Sequence, residues 1–332
     1  MIMHRQLAAD LFVLSGLGTL LRMVHGVSGL LALAYHRVGD SAHSMFDHAL
    51  WSAKPETFDQ QVRLLKQHFD IIGPGDLGDI RGRRGKYIMI TFDDGYRDNY
   101  DVAFPILRSH SATATFFIST GFIDRPRISW WDEIAWMVRT SHREGIPRSR
   151  WLRRSIRFDE PARELAVCAL LDTYKSLPGE DTGPFMDHLA EATRSGRCDR
   201  LDPGRTWMSW DMIREMRDAG MSIGGHTVTH PILSRLSREQ QRHEIVECRN
   251  RVETELGETM RWFSYPRGKP DAFNAHTRAC LREAGVELAF SYYGGFSRFD
   301  DWDAYDVRRI AVETGVTAHQ FEAALTLPQV FA

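Results

Sequence analysis

Short apolar runs alternate with longer amphipathic runs through most of this chain, and this alternation limits the fold more than any other feature. Residues 31–35 and 87–92 have the length and composition of buried strands, whereas residues 55–69 between them repeat apolar side chains at helical spacing. Strands that alternate with helices predict a parallel sheet covered by helices. A length of 332 residues and about seven predicted strands favour closure into a distorted parallel (β/α) barrel.

The remaining predicted elements continue the alternation. The other predicted strands are 113–119, 221–224, 261–265, 287–291 and 307–312, and the other predicted helices are 99–110, 209–219, 237–256, 272–284 and 318–325. The resulting barrel domain spans residues 31–330.

One segment, residues 121–206, shows no strand pattern. It contains ISWWDEIAW, the arginine-rich run RSRWLRRSIRF and an amphipathic helix around residues 161–174. We interpret it as a helical insertion at the carboxyl ends of the strands, where the active sites of barrels lie. Its arginines form either a solvated helix face or a contact to an anionic glycan or lipid phosphate.

The first 30 residues are rich in leucine, but Arg22 and His25 interrupt them, and no apolar run reaches the roughly 20 residues needed to span a bilayer. This pattern predicts an amphipathic helical segment that lies on the barrel or on a membrane surface. We expect a cytoplasmic protein, with peripheral membrane association through this segment as an alternative. Secretion is less favoured, because the basic start and the cleavage site of a signal peptide are weak.

Composition excludes some classes of function. The formal net charge of −2 gives no general attraction to nucleic acid. The four cysteines include no CxxC pair, so they indicate neither a zinc–thiolate site nor a disulfide framework. Nothing in the sequence indicates an oligomeric state.

Two adjacent carboxylates, Asp93 and Asp94, end the predicted strand in KYIMITFDDG. Carboxylates at the end of a buried strand cost solvation energy unless a cation or a hydrogen-bond donor pairs with them. The alternative to a functional site is a turn in which an aspartate caps the next element.

A second motif, GGHTVTH, places His226 and His230 four residues apart. Such a pair faces one metal ion if the segment is helical or tightly turned, and two imidazoles plus one carboxylate leave the open position of a catalytic site. A water bound there has a pKa lowered to about 7. One aspartate of the pair would then bind the ion, and the other would accept the proton of the water.

Together with FSYPRG further along the chain, these motifs resemble the polysaccharide deacetylase family, which is the NodB homology domain or carbohydrate esterase family 4. The resemblance covers residues 31–312 apart from the insertion, and it implies the same distorted barrel. It implies that Asp93 is the general base, and that Asp94, His226 and His230 hold zinc or another divalent ion.

The third motif departs from the family pattern. The family commonly has Arg-x-Pro-Tyr, whereas this chain has Ser264, Tyr265, Pro266 and Arg267. The arginine that orients the catalytic aspartate is therefore missing. Arg309, or its neighbour Arg308 in VRRIAV, would replace it from an adjacent strand end, although a salt bridge to an outer helix is an equal alternative for each.

The C-terminal Leu-x-His motif, which supplies the general acid in this family, is also absent. His319 falls in a helical pattern typical of the surface. His36, in LALAYHRVGD, follows the first predicted strand. It resembles the Tyr-His motif of a subgroup with permuted motif order, in which this histidine is the acid. The alternative is a histidine at a strand end that only bonds the backbone.

The resemblance implies a metal-dependent hydrolase that acts on carbon–nitrogen bonds other than peptide bonds and removes N-acetyl groups from an N-acetylhexosamine glycan. A backbone N–H near Tyr265 would help to hold the oxyanion. Tyr265, Pro266 and Trp131 are candidate substrate contacts. Trp130 is a further candidate for stacking on a sugar, whereas Trp210 fits the core better. The alternatives are a hydrolase of another acyl ester or C–N bond, and a catalytically weak glycan-binding relative.

Overall fold

The computed structural model describes residues 2–16, 29–159, 162–198 and 203–331. The strands in these residues are β1 (Gly29–Tyr35), β2 (Arg37–Val38), β3 (Trp51–Ala53), β4 (Asp70–Ile71), β5 (Tyr87–Phe92), β6 (Thr115–Ile118), β7 (Gly145–Ile146), β8 (Ile156–Arg157), β9 (Ser222–Gly225), β10 (Trp262–Ser264), β11 (Leu288–Phe290), β12 (Phe296–Arg298) and β13 (Ile310–Ala311).

The helices alternate with these strands. They are α1 (Ile2–Leu14), α2 (Pro55–His68), α3 (Leu77–Ile80), α4 (Phe104–Ser109), α5 (Thr120–Asp124), α6 (Trp130–Thr140), α7 (Ala162–Ser176), α8 (Gly179–Thr193), α9 (Pro203–Thr206), α10 (Trp210–Asp218), α11 (Arg238–Leu256), α12 (Ala275–Glu283), α13 (Ala318–Thr326) and α14 (Pro328–Phe331).

The main sheet has the strand order β11-β10-β9-β6-β5-β1-β12, and β4 pairs with β5. All neighbouring strands are parallel except β12, which lies antiparallel to the first half of β1. Strand β13 pairs in parallel with the second half of β1. A parallel bridge from Phe290 to Val307 joins β11 to the segment that enters β13. The curled sheet therefore brings its two edges together, which confirms the predicted α/β class with a distorted, mostly parallel barrel.

The strands are apolar because both of their faces are covered. Every residue of β1 and all but the first residue of β5 are buried. Strand β12 was not predicted, because its three residues, Phe-Ser-Arg, show no apolar run; the first two are only partly buried and the arginine is exposed.

Local signals in the sequence explain the ends of the helices. The Ser237 hydroxyl accepts from the Gln240 N–H, the Gln240 side chain accepts from the Ser237 N–H, and Gly257 ends α11 at a φ of 69°. The predicted helix 99–110 instead begins with a π-helical turn, Asn99–Ala103. Pro105 has no N–H to continue the α-helical pattern, and the Phe104 N–H donates five residues back to Asn99.

The segment between β6 and β9 contains helices α5 to α10, but also a two-stranded antiparallel ribbon formed by β7 and β8. The sequence predicted no strand there, because two-residue strands leave no detectable pattern. Most of the arginine-rich run lies on the loop of this ribbon and not on a helix.

Helix α1 packs against α13 and α14 at the other end of the chain. Asp10 Oδ1 lies 2.8 Å from His319 Nδ1, and the rings of Phe12 and Phe331 are 5.3 Å apart. None of the described helices is long and apolar enough to cross a membrane. Residues 17–28 of the predicted N-terminal segment lie outside the described residues, and membrane association stays a prediction. Three exposed leucines lie on α1, namely Leu7, Leu11 and Leu14.

Candidate active site

The candidate residues follow the carboxyl ends of neighbouring strands. His36 comes directly after β1, Asp93 after β5 and His226 after β9. Tyr35 is paired with Phe92, and Ile118 of β6 with Gly225, so these strand ends lie at one rim of the barrel. The topology thus assembles side chains that are far apart in sequence.

Three buried ligand atoms converge at this rim. Asp94 Oδ1 lies 3.5 Å from His226 Nε2 and 3.4 Å from His230 Nε2. Two ligands at about 2.1 Å from one tetrahedral ion are about 3.4 Å apart, so the spacing suits zinc or a similar ion. Asp94 Oδ1 accepts no hydrogen bond from the described residues, and a buried carboxylate oxygen needs a cation or a donor. The donor set therefore fits a divalent ion.

A tight turn separates the directions of the two aspartates. Asp94 has a φ of 78° and Gly95 a φ of 92°, and the Gly95 N–H donates to the carbonyl of Asp93 at 3.1 Å. Aspartate adopts this left-handed region more readily than most residues, and glycine does so without cost. As a result Asp94 faces the histidines while Asp93 faces Arg309.

The HTVTH segment is a strained loop and not a helix. Thr227 and His230 have φ values of 66° and 57°, and the Thr227 hydroxyl accepts from the His230 N–H at 2.9 Å. Glu244 accepts from the N–H groups of Val228 and Thr229 at 2.9 and 2.8 Å and from the Thr229 hydroxyl at 2.5 Å. Backbone strain persists only where the surrounding structure holds it, and Glu244 does so here.

Both imidazoles are oriented by a second layer of side chains. The Nδ1 of His226 lies 2.7 Å from the Ser264 carbonyl, which makes Nδ1 the protonated nitrogen and leaves Nε2 free to bind a metal. His230 packs edge-on against Trp131 with ring centres 4.4 Å apart, and the Trp131 Nε1–H donates to the Tyr96 hydroxyl at 2.8 Å. Burial lowers the pKa of His230 to about 3, so this imidazole is neutral.

Arg309, and not Arg308, points into the barrel. Its guanidinium donates to both oxygens of Asp93 at 2.8 Å, and it is 1% exposed, whereas Arg308 is exposed. Although burial raises the pKa of Asp93, the charges of Arg309 and His226 hold it well below its usual value. Asp93 is therefore a fixed, ionised carboxylate beside the Asp94–His226–His230 cluster.

Ser264 explains how the missing motif arginine is replaced. It stands at the position where the family motif has arginine, and its hydroxyl accepts from Arg309 at 2.8 Å and donates to Asp93 at 3.1 Å. Arg309 also donates to the Thr91 hydroxyl and to the Ser291 carbonyl. The small side chain leaves room for a guanidinium that arrives from another strand.

His36 lies on the same rim. Its N–H donates to the Ser52 hydroxyl at 3.0 Å, its carbonyl accepts from Asn99 at 2.7 Å, and its ring is 5.5 Å from that of Tyr292. Burial raises the pKa values of Asp93 and Asp94, and the charge of His36 is among the influences that lower them. The backbone bonds hold His36 in place at the rim, and its half-buried ring lies beside Tyr292.

All three residues predicted to contact the substrate are buried. Tyr265 is 1% exposed, its ring stacks on Phe273 at 4.0 Å, and its hydroxyl donates to the Tyr305 carbonyl. The Tyr265 N–H donates to the carbonyl of β11 at 3.0 Å, so it is not available to an oxyanion. Pro266 is buried, and Trp131, at 4% exposed, supports His230 instead of facing a sugar.

The two remaining candidate tryptophans, Trp130 and Trp210, differ in their exposure. Trp130 is half-buried, stacks on Tyr174 at 4.1 Å, and donates from Nε1 to the His230 carbonyl. Trp210 is 9% exposed and donates to Asp124, which agrees with its predicted place in the core. Sequence reasoning missed Glu244, Ser264 and Tyr292. For Ser264 alone a signal existed, because it stands in the third motif.

Fold and site together define a mostly parallel α/β barrel with a carboxylate–imidazole cluster at its strand ends. The family model of polysaccharide deacetylases matches residues 81–146 and 182–289, just over half of the chain. The chain belongs to the polysaccharide deacetylase family, a family of hydrolytic enzymes, which confirms the resemblance.

Comparison with individual proteins agrees with this assignment. A predicted polysaccharide deacetylase of Bacillus subtilis (strain 168), YxkH, is 21% identical over 238 residues, which are 72% of this chain and 56% of that protein. The chain therefore spans little more than half the length of this relative.

Two solved structures show the same fold. The Streptococcus pyogenes deacetylase PplD, in complex with acetate, has a TM-score of 0.58 at 17% identity over 92% of this chain and 98% of its own. IcaB from Ammonifex degensii has a TM-score of 0.56 at 20% identity over the same shares. His36 and Arg309 lie outside the segments that the family model matches, so their assignment rests on the geometry of this chain.

Proposed function

We propose that this protein is a divalent-metal-dependent deacetylase that removes N-acetyl groups from a glycan containing N-acetylhexosamine. One observation carries the proposal: Asp94, His226 and His230 converge beside Asp93, which Arg309 holds ionised. Family membership and the acetate bound to PplD support the acyl chemistry. Zinc is the proposed ion, because it favours nitrogen and oxygen ligands in a three-ligand catalytic set.

Each residue of the site has a defined task. A divalent ion bound by Asp94, His226 and His230 would acidify a water and polarise the acetyl carbonyl. Asp93 accepts the proton of the attacking water, and Arg309 keeps this carboxylate ionised and correctly oriented. Both oxygens of Asp93 already accept from Arg309, so the carboxylate cannot rotate away from the site.

His36 completes the reaction as the general acid. An amine leaves an amide only after its nitrogen is protonated, and histidine ordinarily titrates near neutral pH. Its ring lies at the rim beside Tyr292 while both of its backbone groups are bonded to the protein. We therefore propose that His36 donates the proton that the sugar amine needs in order to leave.

The metal site gives the first prediction. Zinc-loaded protein should contain one zinc ion per chain, and His226→Ala and His230→Ala should each lose it, because two ligands do not hold the ion tightly. Elemental analysis after gel filtration measures this, with His319→Ala on the outer surface as the matched control. Unchanged zinc in both site variants would exclude the assignment.

The second prediction concerns His36. His36→Ala should lower turnover by roughly 10²–10⁴, the usual range for general acid–base assistance, and should retain zinc. The rate of acetate release from an N-acetylglucosamine oligomer is the measurement. His43→Ala, on an exposed neighbouring loop, is the control. Turnover of His36→Ala within a few-fold of the unmodified protein would remove His36 from the mechanism.

A further inference from the structure

The loop of the β7–β8 ribbon concentrates positive charge on a chain that carries a net charge of −2. Residues 145–158 include no acidic residue. Arg157 pairs with Asp159. The other arginines are exposed and have no acidic partner among the described residues; they are Arg148, Arg150, Arg153 and Arg154. Such unpaired guanidinium groups suit an anionic partner.

Two of these arginines, Arg153 and Arg154, line one side of a groove of about 620 Å³ between the loop and α7. The other side is α7, which contributes Thr173, Ser176, one carboxylate from Asp172, and apolar side chains that include the exposed Leu165. Trp151 lies in the lining, with the guanidinium of Arg150 4.3 Å above its ring. Guanidinium, hydroxyl and aromatic groups in one concave surface match a saccharide that carries acidic groups.

The last turn of α7 lies near the catalytic rim. The groove follows α7 from Ala162 to Ser176, which is about 20 Å of helix. On another face of the last turn, Tyr174 stacks on Trp130, and Trp130 donates to the carbonyl of His230. The helix that forms one wall of the groove therefore ends two aromatic rings away from a proposed metal ligand.

We propose that the groove binds a glycan chain that carries carboxylate or phosphate groups while an N-acetyl sugar of the same chain occupies the catalytic site. This inference rests on the proposed deacetylase function and names its substrate class. Residues 147–181 lie outside both segments that the family model matches, so the site belongs to this chain's own insertion. A membrane surface fits less well, because membrane-bound helices insert a continuous apolar face and these arginines border a concave groove.

Three oligosaccharides of equal length test the proposal. They are a hyaluronan fragment with alternating N-acetylglucosamine and glucuronate, an oligomer of N-acetylglucosamine 1-phosphate, and a neutral chitin fragment. At least one acidic oligomer should show a clearly lower KM than the neutral one with a similar kcat, because a remote groove adds uniform binding. The acidic oligomer with the lower KM shows whether the groove prefers carboxylate or phosphate. Added salt should raise the KM of that oligomer to the value of the neutral one.

The double variant Arg153→Gln/Arg154→Gln should raise KM for the preferred acidic oligomer roughly 2–30-fold, as expected for two exposed ion pairs, and leave KM for the neutral oligomer unchanged. The matched control is Arg83→Gln/Arg84→Gln, an exposed arginine pair before β5 at the opposite rim. It removes the same charge and should leave both KM values unchanged.

Two outcomes separate this site from the deacetylase function. If the protein deacetylates all three oligomers with equal KM, or if both arginine variants behave alike, the groove is excluded and the function stands. If no oligomer is deacetylated, the proposed deacetylase function is wrong. Fluorescence anisotropy with labelled acidic oligomers then tests binding in the groove separately. Equal affinity of the unmodified protein and of Arg153→Gln/Arg154→Gln would show that the groove does not bind the glycan.

Discussion

Replacing Arg309 with glutamine is expected to lower the free energy of unfolding by about 3–5 kcal/mol, because the variant leaves the carboxylate of Asp93 buried without its cation. Turnover should fall at least about 100-fold, because the general base loses its orientation. Urea unfolding followed by tryptophan fluorescence measures the first effect, and acetate release measures the second.

Arg308→Gln is the control for this prediction, because the neighbouring arginine is exposed. Its free energy of unfolding should change by no more than about 0.5 kcal/mol. Equal effects of the two substitutions would contradict the buried pair. Adding Asp93→Asn to Arg309→Gln should recover stability, because no buried charge then remains unpaired.

The stability that Arg309→Gln loses should depend on pH in a defined direction. The folded-state pKa of Asp93 is lowered, so its pair with Arg309 stabilises the protein above the ordinary carboxyl pKa, about pH 4, and this stabilisation is lost as pH falls. The difference in stability between Arg309→Gln and the unmodified protein should therefore be largest above about pH 4 and should shrink in acid.

Asp93→Asn should retain zinc and the fold, but its turnover should fall roughly 10²–10⁴-fold, because the substitution removes the proposed proton acceptor. Arg309 keeps its hydrogen bonds to Thr91, Ser264 and Ser291, which preserves the arrangement around the substitution. Asp94→Asn should instead lose zinc. Elemental analysis and acetate release on the same samples distinguish the two aspartates.

Near-normal turnover of Asp93→Asn would show that the tasks of the two aspartates are assigned wrongly. Loss of zinc from Asp93→Asn, with zinc retained by Asp94→Asn, would show that the two are exchanged.

Seven strands of the main sheet and the Asp94–His226–His230 cluster were predictable from the sequence because their signals are local. Asp93 and Asp94 directly follow an apolar strand, and His226 and His230 stand within five residues. Parallel barrel topology then places the carboxyl ends of the parallel strands at one rim. Prediction and structure therefore agree on which of these residues lie together.

The choice between Arg308 and Arg309 depended on register, which the sequence does not contain. Adjacent residues of a strand point to opposite sides, and a shift of one residue exchanges them. Here the pairing of Leu33 with Ile310 sets the register and turns Arg309 inwards. The two-residue strand β13 carries too short a pattern to show this.

The burial of Tyr265 and Trp131 could not be predicted, because an aromatic residue beside a motif looks the same whether it faces the core or a ligand. Tyr265 finds an acceptor at Tyr305 and a stacking partner in Phe273, and both contacts depend on the folded chain. Glu244 was missed for a related reason. Its partners are N–H groups of a loop 15 and 16 residues earlier, which no helical pattern reveals.

The most direct test of the account is mass spectrometry of an N-acetylglucosamine oligomer after incubation with zinc-loaded protein, with Asp94→Asn in parallel. The account predicts products that have lost one or more acetyl groups with the unmodified protein and an unchanged oligomer with the variant. Equal loss of acetyl groups in both samples, or an intact oligomer after incubation with folded protein that contains zinc, would contradict it.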